Sequence, residues 1–216
     1  MPRSPAYIPP KPTEYRGRLF RSRLEASWAL WFDAIGWSWT YEPKPLIDDY
    51  VPDFLLFVRP PPEVGDSALY VEVKGERYGD QVQVHRADLD RWDDHLRAAD
   101  PVPLLLLIGR PGIWNSGQLD QPRLNAAARI FRIDAGTGAM EAENVWLTGC
   151  DRCGDVGLAP IGQLLSCSCQ NERWRSMPRR MADAAKTVRA MDWHGRSEAE
   201  LYGTDDDVVD RGDFPV

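Results

Sequence analysis

Glu72 and Lys74 stand two residues apart in Tyr-Val-Glu-Val-Lys-Gly, residues 70–75 of a 216-residue chain. Side chains on a strand alternate faces with a period of two, so Glu72 and Lys74 project from one side while Val71 and Val73 point the other way, into a core. Upstream, Asp53 follows Pro52 at the entry to an apolar run, and Glu25 lies in a stretch of helical spacing. Such a set suits phosphodiester hydrolysis, which needs a divalent ion to polarise the phosphoryl group and to lower the pKa of an attacking water. Magnesium prefers oxygen ligands and usually takes only one or two carboxylates. Asp53 and Glu72 would supply these, and the Val73 carbonyl a further oxygen. Lys74 would orient the water and stabilise charge developing on the phosphate, and Glu25 would hold a second ion or a metal-bound water. Plainer readings stand beside these: a solvent-facing ion pair for Glu72 and Lys74, and a capping box for Ser22 with Glu25 three residues on.

These residues need elements to carry them. From Phe20 the apolar positions fall at 20, 24, 28, 31, 32 and 35, a helical spacing that stops at Gly36 and sets Glu25 on a face with Trp28, Ala29 and Phe32. Residues 37–42 alternate like a strand, and after Pro-Lys-Pro residues 50–58 read as a mostly buried strand. Residues 59–65 are a Pro-rich loop, residues 68–74 a strand closed by Gly75, and residues 84–99 a helix with Leu89, Trp92 and Leu96 as its stripe. The continuous apolar run 103–108 is of the kind found mid-sheet. Further strands are expected at 128–133 and 144–148 and a basic helix at 177–191. This order predicts an α/β chain. The divisions are an extended arm (1–17, rich in proline), a core (18–148), a cysteine module (149–175), a basic helix (176–191) and an acidic tail (192–216) expected to be disordered.

Three pieces, Arg-Ser-Arg-Leu-Glu at 21–25, Val-Pro-Asp at 51–53 and Val-Glu-Val-Lys-Gly at 71–75, together resemble the PD-(D/E)xK nuclease superfamily of restriction enzymes and RecB-like exonucleases. The order helix, three strands, helix, strand agrees with that family's core, so the likeness covers about residues 18–110. The run Arg-Ser-Arg-Leu-Glu-Ala-x-Trp-Ala with Tyr-Glu-Pro downstream looks like small nucleases of phage and bacterial mobile elements. The resemblance implies a restriction-endonuclease-like mixed sheet, catalytic Glu25, Asp53, Glu72 and Lys74, magnesium or manganese as cofactor, and DNA as substrate. It also allows partner proteins of a recombination or mobile-element complex. Family members often add a polar residue on the helix after the lysine; Gln81, Gln83 and His85 stand in that region, with plain surface positions as the alternative for each.

All four cysteines fall in one short window, as Cys150-Asp-Arg-Cys153 and Cys167-Ser-Cys169. Two such pairs resemble a zinc ribbon, in which four thiolates hold one structural ion, although the second pair has one intervening residue where two are usual. The net charge of −7 is almost wholly that of residues 192–216, which carry 8 acidic and 2 basic side chains. In the body, arginines cluster at Arg16, Arg18, Arg21 and Arg23 and at Arg173, Arg175, Arg179, Arg180 and Arg189, either to contact phosphates or as solvated faces. Trp174, between two of them, could stack on a base. With 4 lysines in the whole chain, the one in Val-Glu-Val-Lys-Gly stands out. No apolar run approaches the roughly 20 residues of a membrane span and the first residues lack the apolar core of a secretory signal, so an intracellular, cytoplasmic protein is expected. A non-catalytic nucleic-acid-binding protein and a partner-dependent endonuclease subunit are the competing readings.

Overall fold

A computed structural model of the chain describes residues 10–45, 47, 50–57, 68–75, 84–99, 102–111, 113–114, 123–124, 127–150, 152, 156–160, 165–166, 172–173 and 179–191. The three- and four-residue spacing of apolar side chains produces α1 (Arg23–Ile35). Ser22 caps its start by accepting the Glu25 N–H, and Gly36 ends it at φ 77°, a conformation that a side chain would strain. The Gly36 and Trp37 N–H groups then meet the carbonyls of Asp33 and Phe32.

Ahead of the helix, β1 (Thr13–Tyr15) and β2 (Arg18–Phe20) pair as an antiparallel hairpin. Arg16 and Gly17 turn it at φ 52° and 75°, the positive values that two-residue hairpin loops favour. This corrects the extended arm expected through residue 17. The proline-rich composition hid a hairpin that tertiary contacts hold: Tyr15 donates to Asp33 of α1, and the buried Phe20 ring lies 4.4 Å from that of Tyr41.

The expected run of strands follows as β3 (Ser38–Tyr41), β4 (Phe54–Phe57) and β5 (Ala68–Lys74), then α2 (Arg86–Ala99) and β6 (Leu104–Ile108). Short β7 (Ile113–Trp114) pairs with β8 (Arg123–Leu124). Beyond them lie β9 (Ala127–Ile133), β10 (Met140–Gly149), β11 (Val156–Pro160), the small pair β12 (Leu165–Ser166) with β13 (Glu172–Arg173), and α3 (Arg179–Ala190). Seven strands make one mixed sheet in the order β11-β10-β9-β6-β5-β4-β3. The all-apolar β6 lies in its middle, every residue buried, parallel to β5 and antiparallel to β9. The parallel step is possible because α2 supplies the crossover between β5 and β6. Strand β10 runs longer than its expected five residues because it pairs with β9 along one half and β11 along the other.

Alternation sorts the sheet into two cores. Val71, Val73, Leu105 and Leu107 face α1 and α3, with Trp28, Trp31, Phe32, Met181, Ala184 and Val188. Tyr70, Leu104, Leu106 and Ile108 face α2, with Trp92, Leu96 and Phe131. Trp28, Trp31 and Trp92 are fully buried, and each such ring contributes roughly 4–6 kcal/mol of transfer free energy. Among the described residues no helix is long and apolar enough to cross a membrane.

Candidate active site

Because β4 and β5 are antiparallel, with Phe54 opposite Val71, the start of β4 lies beside the end of β5. Asp53 therefore reaches the C-terminal end of β5, and the Val73 N–H donates to its Oδ2 at 2.7 Å. The adjacent end of β6 is fixed by Gly109, whose N–H donates to the Lys74 carbonyl at 2.8 Å and whose carbonyl accepts the Trp28 indole N–H at 2.9 Å. That second contact ties α1, and with it Glu25, to the carboxyl ends of the parallel pair, where α/β sheets commonly place ligands.

Glu25, Asp53 and Glu72 are all buried, at 8%, 4% and 8% exposure. Burial of ionised carboxylates requires donors, and each of the six oxygens has one. On Glu25, Ser22 Oγ donates to Oε1 at 2.9 Å and the Tyr41 hydroxyl to Oε2 at 2.6 Å. Asp53 takes Arg21 Nη2 on Oδ1 at 2.5 Å in addition to Val73. Glu72 takes Lys74 Nζ on Oε1 at 2.7 Å and the Tyr50 hydroxyl on Oε2 at 2.9 Å. Glu72 and Lys74 thus share a side of β5 as their spacing demanded, and their pair is largely shielded from solvent. The capping geometry at Ser22 is also present, so Glu25 serves the helix terminus while its charge acts on Asp53.

The electrostatics are lopsided. Burial, then the charges of Glu72 and Glu25, push the Asp53 carboxyl well above the usual range, and the opposing Val73 N–H and Arg21 do not cancel them. Burial alone would ease the proton off Lys74, but Glu72 beside it outweighs that effect and the ammonium holds its proton more firmly than usual. Lys74 is accordingly a cation and hydrogen-bond donor at neutral pH rather than a base. Burial, reinforced by the neighbouring glutamates, also raises the Tyr41 and Tyr50 hydroxyls, which remain donors.

Several of these partners escaped the linear reading: Arg21 as the ion-pair partner of Asp53, and Tyr41 and Tyr50 as carboxylate donors. Tyr41 was visible within Tyr-Glu-Pro; Tyr50 read as an ordinary position of a mostly buried strand. His95 is buried in T-shaped contact with Tyr50 and Tyr70, with ring centroids 5.0 and 4.6 Å away, and neither of its nitrogens has a partner among the described residues.

Other positions stand apart or out of view. Val73 packs its side chain into the core on the α1 side. Arg23 opens α1 and is half-buried. His85 precedes α2, its carbonyl accepting the Asp88 and Leu89 N–H groups. Gln81, Gln83, Asp48, Asp49, Trp174 and Arg175 lie outside the described residues, as does the side chain of Arg173 in β13. Cys150 is buried just after β10, and Cys153, Cys167 and Cys169 lie outside the described residues.

Among the described residues no group of three or more His, Cys, Asp or Glu side chains is arranged to hold a metal ion. Each carboxylate is instead drawn to its own protein donors. The donor chemistry nevertheless suits magnesium or manganese, which need only one or two protein carboxylates and take hard oxygens. Comparison with family models, curated proteins and solved structures finds no match.

Proposed function

We propose that this protein is a metal-dependent nuclease that hydrolyses phosphodiester bonds in DNA, of the PD-(D/E)xK type and with a restriction-endonuclease-like core. The observation that carries the reading is the convergence of three buried carboxylates and a protonated lysine at one end of the sheet, with Asp53 under a negative charge that its surroundings leave uncompensated. A surface that only binds phosphates has no reason to gather buried carboxylates there. A bound magnesium or manganese ion would polarise the phosphoryl group and lower the pKa of water.

In this reading Asp53 and Glu72 hold the ion, with the Val73 carbonyl as a further oxygen and Glu25 for a second ion or a water. Tyr50 and Tyr41 fix the orientation of Glu72 and Glu25 by donating to them. Lys74 donates to the attacking water and to charge developing on the phosphate. Arg21, Arg23, Arg173 and Arg175 are assigned to nucleic-acid phosphates. Cys150, Cys153, Cys167 and Cys169 are assigned to one structural zinc ion that helps dock DNA.

Purified protein with magnesium or manganese should nick or linearise circular single-stranded or duplex DNA, or degrade linear DNA. Glu72→Ala should abolish the activity and Lys74→Ala should lower it about 10²–10³-fold, the usual effect of losing one charge-stabilising donor. Inactivity on every form with DNA binding retained would overturn catalysis by the isolated chain. Cleavage appearing only with added partner proteins would make it a subunit of a recombination complex.

A further inference from the structure

We infer that Arg21 and a divalent ion compete for Asp53, so that the ion enters only as the guanidinium leaves; this rests on the nuclease reading of the site. Arg21 bridges two carboxylates, with Nη2 on Asp53 at 2.5 Å and Nε on Glu42 at 2.8 Å. The two ends of the pair with Asp53 differ sharply. The Asp53 side chain is 6% exposed and pinned by the Val73 N–H, while that of Arg21 is 57% exposed. Arg21 can therefore move into solvent without stranding a buried cation, and Asp53 cannot follow it. Lys74, 25% exposed, sits on Glu72 and not on Asp53.

With Glu42 included, the described residues of the cluster are four carboxylates and two cations, Arg21 and Lys74, so a divalent ion balances the charge while Arg21 stays paired with Glu42. The guanidinium therefore has to leave Asp53 and not the cluster. An ion and a guanidinium on the same Asp53 oxygen also repel at short range.

The surroundings let Arg21 swing while its main chain stays fixed. Its N–H donates to the Tyr41 hydroxyl at 3.0 Å, which in turn donates to Glu25. Its second partner, Glu42, is held in the left-handed region at φ 46° immediately before Pro43, where extended backbone is the norm. The Glu42 N–H donates to the Asp53 carbonyl at 3.0 Å, so this strained residue is tied to the site. Glu42 retains the guanidinium when Asp53 releases it. Arg21 is thus a positioning residue that sets how readily the site takes its ion.

Manganese binding to the full chain at pH 8 and low salt, followed by loss of the electron-paramagnetic signal of the free aquo-ion, tests the exchange without reference to turnover. Arg21→Gln should bind manganese about tenfold more tightly than the native chain. Arg21→Lys, which keeps the charge but not the fork, should fall between them. The gain should vanish in the Arg21→Gln/Asp53→Asn double variant. Equal or weaker binding by Arg21→Gln, with Glu72→Gln abolishing binding, would overturn the exchange and leave the nuclease reading standing. No manganese binding to native or Arg21→Gln protein at millimolar concentration, or binding unaffected by Glu72→Gln, would overturn both. Unchanged far-ultraviolet circular dichroism of each variant checks that the fold is kept.

Discussion

Asp53 is the side chain at which stability and the proposed chemistry oppose one another. Its folded-state pKa lies above the ordinary carboxylate value, so between those two values the folded chain binds more protons than the unfolded one. Stability must then fall as pH rises from the ordinary carboxylate range through the raised value, and be regained as pH falls back. Asp53→Asn removes the charge and keeps the shape; its one amide oxygen keeps the Val73 N–H, and the exposed Arg21 gives up its bond to solvent. In divalent-free buffer at pH 8 it should be more stable than the native chain by about 1 kcal/mol, a rise in Tm of about 2–4 °C for a domain of this size. The advantage should disappear below the ordinary carboxylate value, where native Asp53 is neutral in both states. Manganese should stabilise the native chain and not the variant. Thermal melts across pH, with and without manganese, check all three statements; a variant less stable than native at pH 8 would sink the account. Sites that trade stability for function in this way are where local rules are expected to fail.

At the scale of elements, the first turn of α1 carries two duties. Ser22 accepts the Glu25 N–H at 3.2 Å and returns a hydroxyl bond to Glu25 Oε1. Ser22→Ala should therefore destabilise the chain by about 1 kcal/mol through loss of the cap, read as a lower urea midpoint with unchanged m-value. It should also lower the metal-dependent cleavage rate, because among the described residues Glu25 keeps only Tyr41 to orient it. A stability loss with unaltered cleavage would confine Glu25 to helix capping. Strands β4, β5 and β6 make the matching contribution from the sheet. Their mixed pairing brings Asp53, Lys74 and Gly109 to one end, and the Trp28 indole locks α1 to that end.

For the whole molecule, the negative net charge is no obstacle to a nucleic-acid partner, since residues 192–216 carry nearly all of it. The zinc assignment is also a property of the whole chain, because four thiolates around an ion replace a hydrophobic core that a short module cannot build. Protein purified without chelator should contain about one zinc per chain. Removing it should lower Tm and loosen DNA binding, since the free energy of a structural ion is folding free energy. A zinc content near zero, or full stability after chelation, would remove the module from the reading.

Much of this architecture follows from short-range pattern. The period-two alternation of residues 70–74 is enough to set Glu72 and Lys74 on one side, and they meet at 2.7 Å. Apolar spacing together with Ser22 and Gly36 marks α1, and the unbroken apolar run at 104–108 marks the middle strand. The hairpin at residues 13–20 was illegible because its strands are three residues each, too short for a period to show, and distant aromatic contacts hold it. The donor assigned to each carboxylate was illegible for a related reason. Arg21 meets Asp53 across 32 positions, Tyr50 meets Glu72 across 22 and Tyr41 meets Glu25 across 16. Periodicity reports which face a residue occupies on its own element. Which distant side chain shares that face is settled only when β4 pairs with β5, α2 crosses to β6 and α1 docks on the sheet, and it is this closure that sets Arg21 on Asp53.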